Sequence, residues 1–431
     1  MQTHLCILLG VATVCQISCI LAMVAKRKTR PVPLQKLIGR VSDTELSRIL
    51  KEVSEGGDLD IPFSRDALEK EVRSEFAGLV CECYLPVKKK ETNLRWQFLC
   101  PNKLVQHVLD KCPELADAYG RAANAWMPSK DRPWDIITAF DEFVPGDKLK
   151  AYTSRKCMVL GFNFEQLGEE ILCRDHSWMI PIVERASDIH SVEGGWSFML
   201  SIFLEQQLLG PQGLSGAGLT VMINGSPLTI FAKQKNLLSD YDGMRMAWDW
   251  RGANALRPCL CCSNVFKKDS DLCNRPGAED CVEITCADPK RSIARTSQDF
   301  IEDVDNVQEA GALLNRVPPG ISPGELEHLM KSTGQNYNPL GWVANKRLRE
   351  VIDPLRVCTH DFVHGFVCAG GMSLEMWNML KSGAHHLPMH EYKRFLQSDL
   401  QFPEQFRTKG TILWRVFDEE HRYPESPTNN Q

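Results

Sequence analysis

The sequence lacks the motifs of the common nucleotide-dependent enzymes, since it contains no Walker-type phosphate loop, no nucleophile elbow and no dinucleotide-binding fingerprint. It also lacks a positive net charge, because its formal charge at pH 7 is −5. The overall charge therefore does not indicate nucleic-acid binding, and any contact with DNA has to come from local basic clusters. Each of these clusters, taken alone, is more typical of a solvated surface.

The cysteines do not form the even, regularly spaced set of a secreted disulfide framework. There are 17 of them among 431 residues, an odd number scattered along the chain, and several, such as Cys157 and Cys368, lie inside apolar runs. This pattern favours buried thiols in a reducing compartment. The length gives room for two or three domains with a full hydrophobic core.

One long apolar run lies close to the N-terminus. From Leu5 to Ala25 the sequence carries no charge, and Lys26, Arg27 and Lys28 follow directly. This length is sufficient for a membrane span, and the basic flank would leave the rest of the chain on the cytoplasmic side. We therefore predict a membrane span with a basic flank in residues 1–30, with a buried helix or a misassigned start of the reading frame as the alternatives.

The composition and hydrophobic pattern of the sequence predict five further regions. Residues 38–133 are expected to be mostly helical, because Ser42 or Asp43 can cap a helix and Pro101 and Pro113 can open two more. Short β-like runs begin at Trp134. We expect residues 134–250 to form the first part of an α/β core, 251–340 a polar, loop-rich insertion that contains cysteines, 341–400 a helical part of the core that begins at 342–351, and 401–431 a polar tail.

Within the core, periodicity predicts three strands, a buried helix and then a hairpin. This is the order of an RNase H-like fold, in which the first and fourth strands place two carboxylates side by side. Asp141 lies near the end of the first predicted strand, and Asp240 and Asp242 follow the last one. The predicted strands are 136–143, 155–164 and 178–183, the helix is 196–209, and the hairpin joins 219–224 to 228–238 through a turn at 225–227.

Acidic residues at the carboxyl ends of buried strands are suited to hold a divalent cation, because strand ends are rigid and open to solvent. Hard cations such as Mg²⁺ or Mn²⁺ prefer carboxylate oxygens. Farther along the chain, Asp361 and His364 lie three residues apart and share a face if the segment is helical. Such a unit could complete a metal site, and Glu375 follows in a helical run.

A second metal-binding pattern is Cys259-x-x-Cys262, a spacing that lets two thiolates from one turn reach one zinc ion. Three later cysteines could supplement this pair, and the sequence does not choose among them. They are Cys273, Cys281 and Cys286.

Four stretches together resemble transposase-like proteins encoded by eukaryotic DNA transposons, including transposon-derived reading frames in protist genomes. They are FDEFVPGD, LLSDYDG, WDWRGANALRPCLCCSN and DFVHGFVCAGG, and the resemblance runs from about Trp134 to Leu380. It implies an RNase H-like core with an Asp-Asp-Asp/Glu catalytic set. Asp141 would be the first metal ligand and Asp240 the second, with Asp242 as its stand-in. The third acid would be Asp361 or Glu375, and the cysteine pair and the Asp361/His364 unit would match motifs of the family.

The resemblance implies a nuclear protein that cleaves and joins DNA with two Mg²⁺ or Mn²⁺ ions, or an inactive relative of one, with Zn²⁺ stiffening the insertion. The alternative is a membrane-anchored scaffold without catalysis, in which the acids are structural and the cysteines bind a structural zinc ion. The two hypotheses predict different distances between the Asp141 and Asp240 carboxylates. Shared metal ions require the Asp141 and Asp240 carboxylates to lie about 4 to 6 Å apart.

Overall fold

The computed structural model describes residues 77–88, 92–143, 156–174, 177–267, 280–284 and 289–360. Within these ranges no helix has the length and apolar character needed to cross a membrane. The predicted span from Leu5 to Ala25 lies outside them, as do Cys273, Cys286, Asp361, His364, Glu375 and the predicted tail.

The described residues form an α/β structure whose elements are numbered in chain order. The strands are β1 (Val80–Pro86), β2 (Asn93–Leu99), β3 (Trp134–Phe143), β4 (Cys157–Phe164), β5 (Met179–Arg185), β6 (Leu219–Ile223), β7 (Ser226–Ile230), β8 (Ala232–Ser239), β9 (Val265–Phe266), β10 (Val282–Glu283) and β11 (Cys358–His360). The α-helices are α1 (Pro101–Lys111), α2 (Pro113–Ala125), α3 (Glu169–Leu172), α4 (Ala186–Ser191), α5 (Gly195–Leu204), α6 (Tyr241–Ala247), α7 (Ser297–Leu314), α8 (Pro323–Thr333) and α9 (Lys346–Arg349).

A mixed five-stranded sheet organises the core, in the order β11-β8-β3-β4-β5. Strands β3, β4 and β5 form an antiparallel meander. The chain then crosses through α4 and α5 and returns as β8, which lies parallel to β3, and β11 lies parallel to β8. The α/β class and the mixed sheet predicted from the sequence are confirmed.

Helix α5 covers one face of this sheet because seven of its ten residues are apolar. Its Trp196 ring lies 5.8 Å from Phe140 on β3, and its Phe203 ring lies 6.3 Å from Phe162 on β4. All four side chains are buried. The predicted helix 196–209 is confirmed over α5, and it continues as one π-helical turn at Glu205–Leu209.

The front of the described chain differs from the predicted helical region. Helices α1 and α2 begin at the two expected prolines, but an antiparallel hairpin of β1 and β2 precedes them. Its second strand alternates buried Trp96 and Phe98 with exposed Arg95 and Gln97. This period of two is the signal of a strand with one buried face.

The predicted hairpin at 219–238 is also corrected. Strand β7 pairs with β6, but the predicted second run is interrupted at Phe231, and its later part becomes β8 of the main sheet. The turn lies at Asn224 and Gly225, which both have a positive φ, of 50° and 79°. A two-residue Asn-Gly loop with this geometry matches the twist of the strands it joins.

The insertion is less loop-like than predicted, because α7 and α8 occupy much of its second half. Both helices begin with a capping box. Thr296 and Asp299 exchange side-chain and backbone hydrogen bonds at the start of α7, and Ser322 and Glu325 do so at α8. The helix predicted at 342–351 is likewise corrected to a 3₁₀ turn and the single-turn helix α9.

Candidate active site at the carboxyl edge of the sheet

Asp141 and Asp240 reach the same edge of the sheet from neighbouring parallel strands. The pairing of β3 with β8 ends at Ala139 opposite Leu238. Asp141 lies two residues beyond Ala139, and Asp240 lies two residues beyond Leu238. Asp141 still lies within β3, opposite Val159 of β4, and Asp240 directly follows β8. Adjacent strands are about 4.8 Å apart, so the backbones of the two acids lie close together at this edge.

Each of these two carboxylates accepts a hydrogen bond from a nearby backbone amide. Asp240 caps α6, and its Oδ1 accepts from the Gly243 amide at 2.7 Å. Asp141 Oδ1 accepts from the Glu142 amide, also at 2.7 Å. Such contacts hold the orientation of a carboxylate.

A lysine lies among the neighbouring acids. Lys156 Nζ is 2.7 Å from Glu142 Oε2. The hydrogen bond to Glu142 raises the pKa of Lys156, and the charges of Asp242 and Asp240 act in the same direction. Asp242 also pairs with Arg245, at 3.4 Å. Sequence reasoning missed Lys156 because only the β3–β4 register, which places Phe143 opposite Cys157, brings it to Glu142.

Asp249 is a second carboxylate that the sequence analysis did not select. It follows α6 and has a positive φ of 52°, and its Oδ2 is inaccessible to solvent. Asn338 Nδ2 donates to its Oδ1 at 2.8 Å. Burial raises the pKa of Asp249 to about 7, although hydrogen bonds from Ser197 and Asn338 partly oppose this shift. Asp249 as a residue is half-buried, but its Oδ2 atom is enclosed.

Four thiols from two distant segments lie near one another. Cys262 hydrogen-bonds Cys259 within the loop that follows α6, and Cys358 on β11 hydrogen-bonds Cys261 of the same loop. Burial, with the Cys259 contact second, raises the pKa of Cys262 to about 12. The predicted pair Cys259/Cys262 is thus in contact, and the structure adds two thiols that spacing rules did not select.

Another thiol pair occurs at the front of the chain, where Cys81 on β1 hydrogen-bonds Cys100. Cys100 directly precedes α1. The contact with Cys81 is the largest cause that lowers the pKa of Cys100, to about 6, and the amides of Lys103 and Asn102 contribute. Thiolates are typically stabilised in this way at helix N-termini.

The fit to metal ions is incomplete in the described part of the chain. Within it, no three His, Cys, Asp or Glu side chains are grouped as a bound metal ion requires. At the sheet edge, the two candidates for the third acid, Asp361 and Glu375, lie outside the described residues. In the loop that follows α6 and on β11, the four thiols meet as two pairs. The donor types nevertheless suit a hard divalent cation at the sheet edge and zinc at the thiols.

Comparison with known proteins gives no family assignment. No protein-family model matches the sequence, and no curated protein matches it.

Proposed function

We propose that this protein is a transposase-like protein derived from a DNA transposon, with an RNase H-like core that cleaves and joins DNA strands. The order and direction of the strands support the proposal. A three-stranded antiparallel meander is followed by a helical crossover and by two strands parallel to the first, as expected for that fold.

One observation carries the functional part of the proposal: the pairing of β3 with β8 brings Asp141, near the end of β3, and Asp240, directly after β8, to the same edge of the sheet. Two-metal phosphoryl transfer depends on carboxylates fixed at such a position, because the metal ions must hold both the attacking and the leaving oxygen. Strand ends in the middle of a sheet provide the necessary rigidity.

In this function Asp141 and Asp240 would hold Mg²⁺ or Mn²⁺, with Asp242 as a neighbouring acid and Asp361 or Glu375 as the third ligand. When bound, the ions would activate a water or a 3′-hydroxyl and neutralise the leaving oxygen. The backbone amides of Gly243 and Glu142 would orient the two carboxylates. Lys156, held by Glu142, would balance the negative charge of the edge.

A second candidate function is an inactive relative or scaffold, and a specific observation favours it. Asp240 already serves as a helix cap, Glu142 pairs with Lys156, and Asp242 pairs with Arg245. These are the partners that purely structural acids would have. The two functions differ in whether Asp141 is needed for any reaction.

Nicking of supercoiled plasmid DNA by the full chain, with and without Mn²⁺, tests the proposal. We expect Mn²⁺-dependent nicking that Asp141→Asn and Asp240→Asn each reduce by at least about 100-fold, the upper end of the loss caused by removing an outer-shell metal partner. Both substitutions conserve the shape of the side chain and remove its negative charge, with one oxygen replaced by an amide nitrogen.

Asp135→Asn is the matched control, because Asp135 lies at the opposite end of the same strand, where it pairs with Lys233 and Lys235. It should retain nicking. Nicking that persists in Asp141→Asn would contradict the proposed catalytic role. Absence of nicking in the unmodified chain, together with absence of Mn²⁺ binding by electron paramagnetic resonance, would favour the inactive relative.

A further inference from the structure

The loop of residues 126–133, which joins α2 to β3, carries two cations that each lie over an aromatic ring. The Arg132 guanidinium lies 3.7 Å from the centre of the Trp126 ring, and Lys130 Nζ lies 5.9 Å from the centre of the Phe231 ring. Phe231 directly precedes β8, which pairs parallel with β3. Both aromatic–cation pairs therefore lie where two neighbouring strands begin, at the edge of the sheet opposite to the candidate active site.

Part of the apolar surface of this loop is open to solvent. Trp126 is 41% exposed and Met127 is 58% exposed, although large apolar side chains of these types are usually buried. Lys130 also lines an open cleft, together with Phe231 and Lys233. Aromatic rings and ammonium groups are thus accessible on the same surface.

The positive charge of the loop is not fully balanced by acids nearby. Lys130 and Arg132 flank a single acid, Asp131. The ion pairs formed among the described residues include neither of these two cations, whereas Lys233 Nζ lies 3.5 Å from Asp135. A negatively charged ligand can therefore contact the two loop cations without displacing a carboxylate.

Hydrogen bonds hold the backbone of the loop in place. The Trp126 amide donates to the Ala122 carbonyl in α2 at 2.8 Å, and the Trp126 carbonyl accepts from Nε1 of the fully buried Trp134, also at 2.8 Å. Ser129 and Arg132 exchange two backbone hydrogen bonds, of 3.1 and 3.2 Å. The exposed side chains are thus presented by an ordered backbone, which lowers the entropy cost of binding a ligand.

We propose that this surface binds single-stranded nucleic acid, and we define the Trp126 surface as residues 126–133 with Phe231 and Lys233. Each nucleotide of a single strand offers a phosphate for the cations and an unstacked base for the exposed aromatic rings. In a duplex the base faces are stacked on one another and do not reach such rings. An acidic peptide would match the cations but would leave the aromatic rings unused.

The Trp126 surface is separate from the acidic edge and needs no metal ion. Trp134, which follows the loop, and Asp141 lie seven residues apart on β3, a distance of about 23 Å along a strand. The proposed function already involves DNA, and this inference adds a second site that holds a single strand away from the acids. It does not rest on cleavage, because an inactive relative would retain the same surface.

Fluorescence anisotropy of a labelled oligothymidine of about 16 nucleotides, titrated with the full chain in EDTA, tests the inference. We expect Trp126→Ala to weaken binding roughly 5- to 150-fold, the loss caused by removing one stacked aromatic side chain. Trp126→Tyr should retain most of the affinity, because it keeps an aromatic face. Tyr84→Ala is the matched control, since Tyr84 is 63% exposed on β1, and it should leave binding unchanged.

The salt dependence of binding separates phosphate contacts from effects on folding. Each phosphate contact with a single strand contributes about 0.7 to the slope of the logarithm of the binding constant against the logarithm of the salt concentration. Lys130→Gln should therefore lower the magnitude of this slope by about 0.7. Lys103→Gln, which changes an exposed lysine on α1, should leave the slope unchanged.

Three results would overturn the inference. They are absence of binding at low salt, equal affinity for the single strand and for a duplex of the same length, and equal affinity of the unmodified chain and Trp126→Ala. Nicking is scored separately. Binding in EDTA without nicking in Mn²⁺ would support the Trp126 surface and count against the proposed cleavage, whereas nicking without single-strand binding would do the reverse.

Discussion

Two aspartates on either side of α6 occupy opposite environments. Asp240 precedes the helix at the open edge of the sheet and caps it through the Gly243 amide. Asp249 follows the helix, and its Oδ2 is closed off from solvent beside Asn338 and Gly341. The Asp240 carboxylate is held by a backbone amide at the end of a strand, whereas burial of the Asp249 carboxylate disfavours its charged form.

The difference shows that a residue type has no fixed role even within a stretch of ten residues. Asp240 stands out in the sequence because it follows a strand, whereas nothing local marks Asp249 as an aspartate with an enclosed carboxylate oxygen. The pKa of Asp249, raised to about 7 by burial, expresses this difference in a form that can be measured. The largest expected effect comes from this group.

Asp249→Asn should change how stability depends on pH. The ordinary pKa of 3.8 rises to about 7 in the folded chain, so the folded state binds more protons than the unfolded state between these values. The protonated Asp249 carboxyl therefore contributes its full stabilisation of the folded state below pH 3.8, and this contribution is lost as pH rises to about 7. The total is roughly 4 kcal/mol. Urea unfolding at pH 5 and pH 8 should show the part of this loss that falls between pH 5 and about 7, roughly 3 kcal/mol, in the unmodified chain and a smaller loss in Asp249→Asn.

The matched control is Asp240→Asn, which should follow the pH dependence of the unmodified chain. A pH dependence that is identical in Asp249→Asn and in the unmodified chain would show that the buried carboxyl is not the titrating group.

Gly341→Ala should disturb the enclosure of Asp249. A Cβ atom at this position would lie 2.2 Å from Asp249 Oδ2 and 2.8 Å from Ser197 Oγ, so the hydrogen-bonded group would have to move. We expect the free energy of unfolding to fall by about 1–3 kcal/mol, as for other overpacked interiors. Chemical denaturation at constant pH measures it.

Gly324→Ala provides the comparison for this substitution. Gly324 lies in α8, where a Cβ would be 3.9 Å from the nearest atom that it meets, Ser322 Oγ. Alanine there should be neutral or stabilise the chain by up to about 1 kcal/mol. Equal destabilisation by both alanines would show that the close packing around Asp249 is not the cause of the lower free energy of unfolding.

Asp240→Ala should have the smallest effect on stability. The Gly243 amide would lose its acceptor, which costs about 1 kcal/mol for a typical N-cap. Asp240→Asn should restore most of this loss, because asparagine also caps helices, while it still removes the charge needed for a divalent cation. Thermal unfolding of the two variants measures the difference. A similar loss in both would contradict the capping role.

Local patterns were sufficient for much of the fold. Prolines marked the starts of α1 and α2, and apolar runs located β3, β4, β5 and α5. The capping boxes of α7 and α8 were also readable from Thr296-x-x-Asp299 and Ser322-x-x-Glu325, although the polar composition of the insertion hid them. The break at Phe231 could not be predicted, because one continuous β-like run can contribute strands to two different sheets.

The sequence by itself placed Asp141 near the end of a β-like run and Asp240 directly after another, and the order of the predicted elements led us to expect the two acids side by side. The register of β3 with β8 brings them to the same edge of the sheet. Only the tertiary structure brought Lys156 to Glu142, Cys358 to Cys261, and the side chains of Ser197 and Asn338 around Asp249. The physical reason is that periodicity and capping are local properties of the chain. Burial and contacts between distant segments depend on how the sheet, the helices and the loops pack, and no short stretch of sequence contains that information.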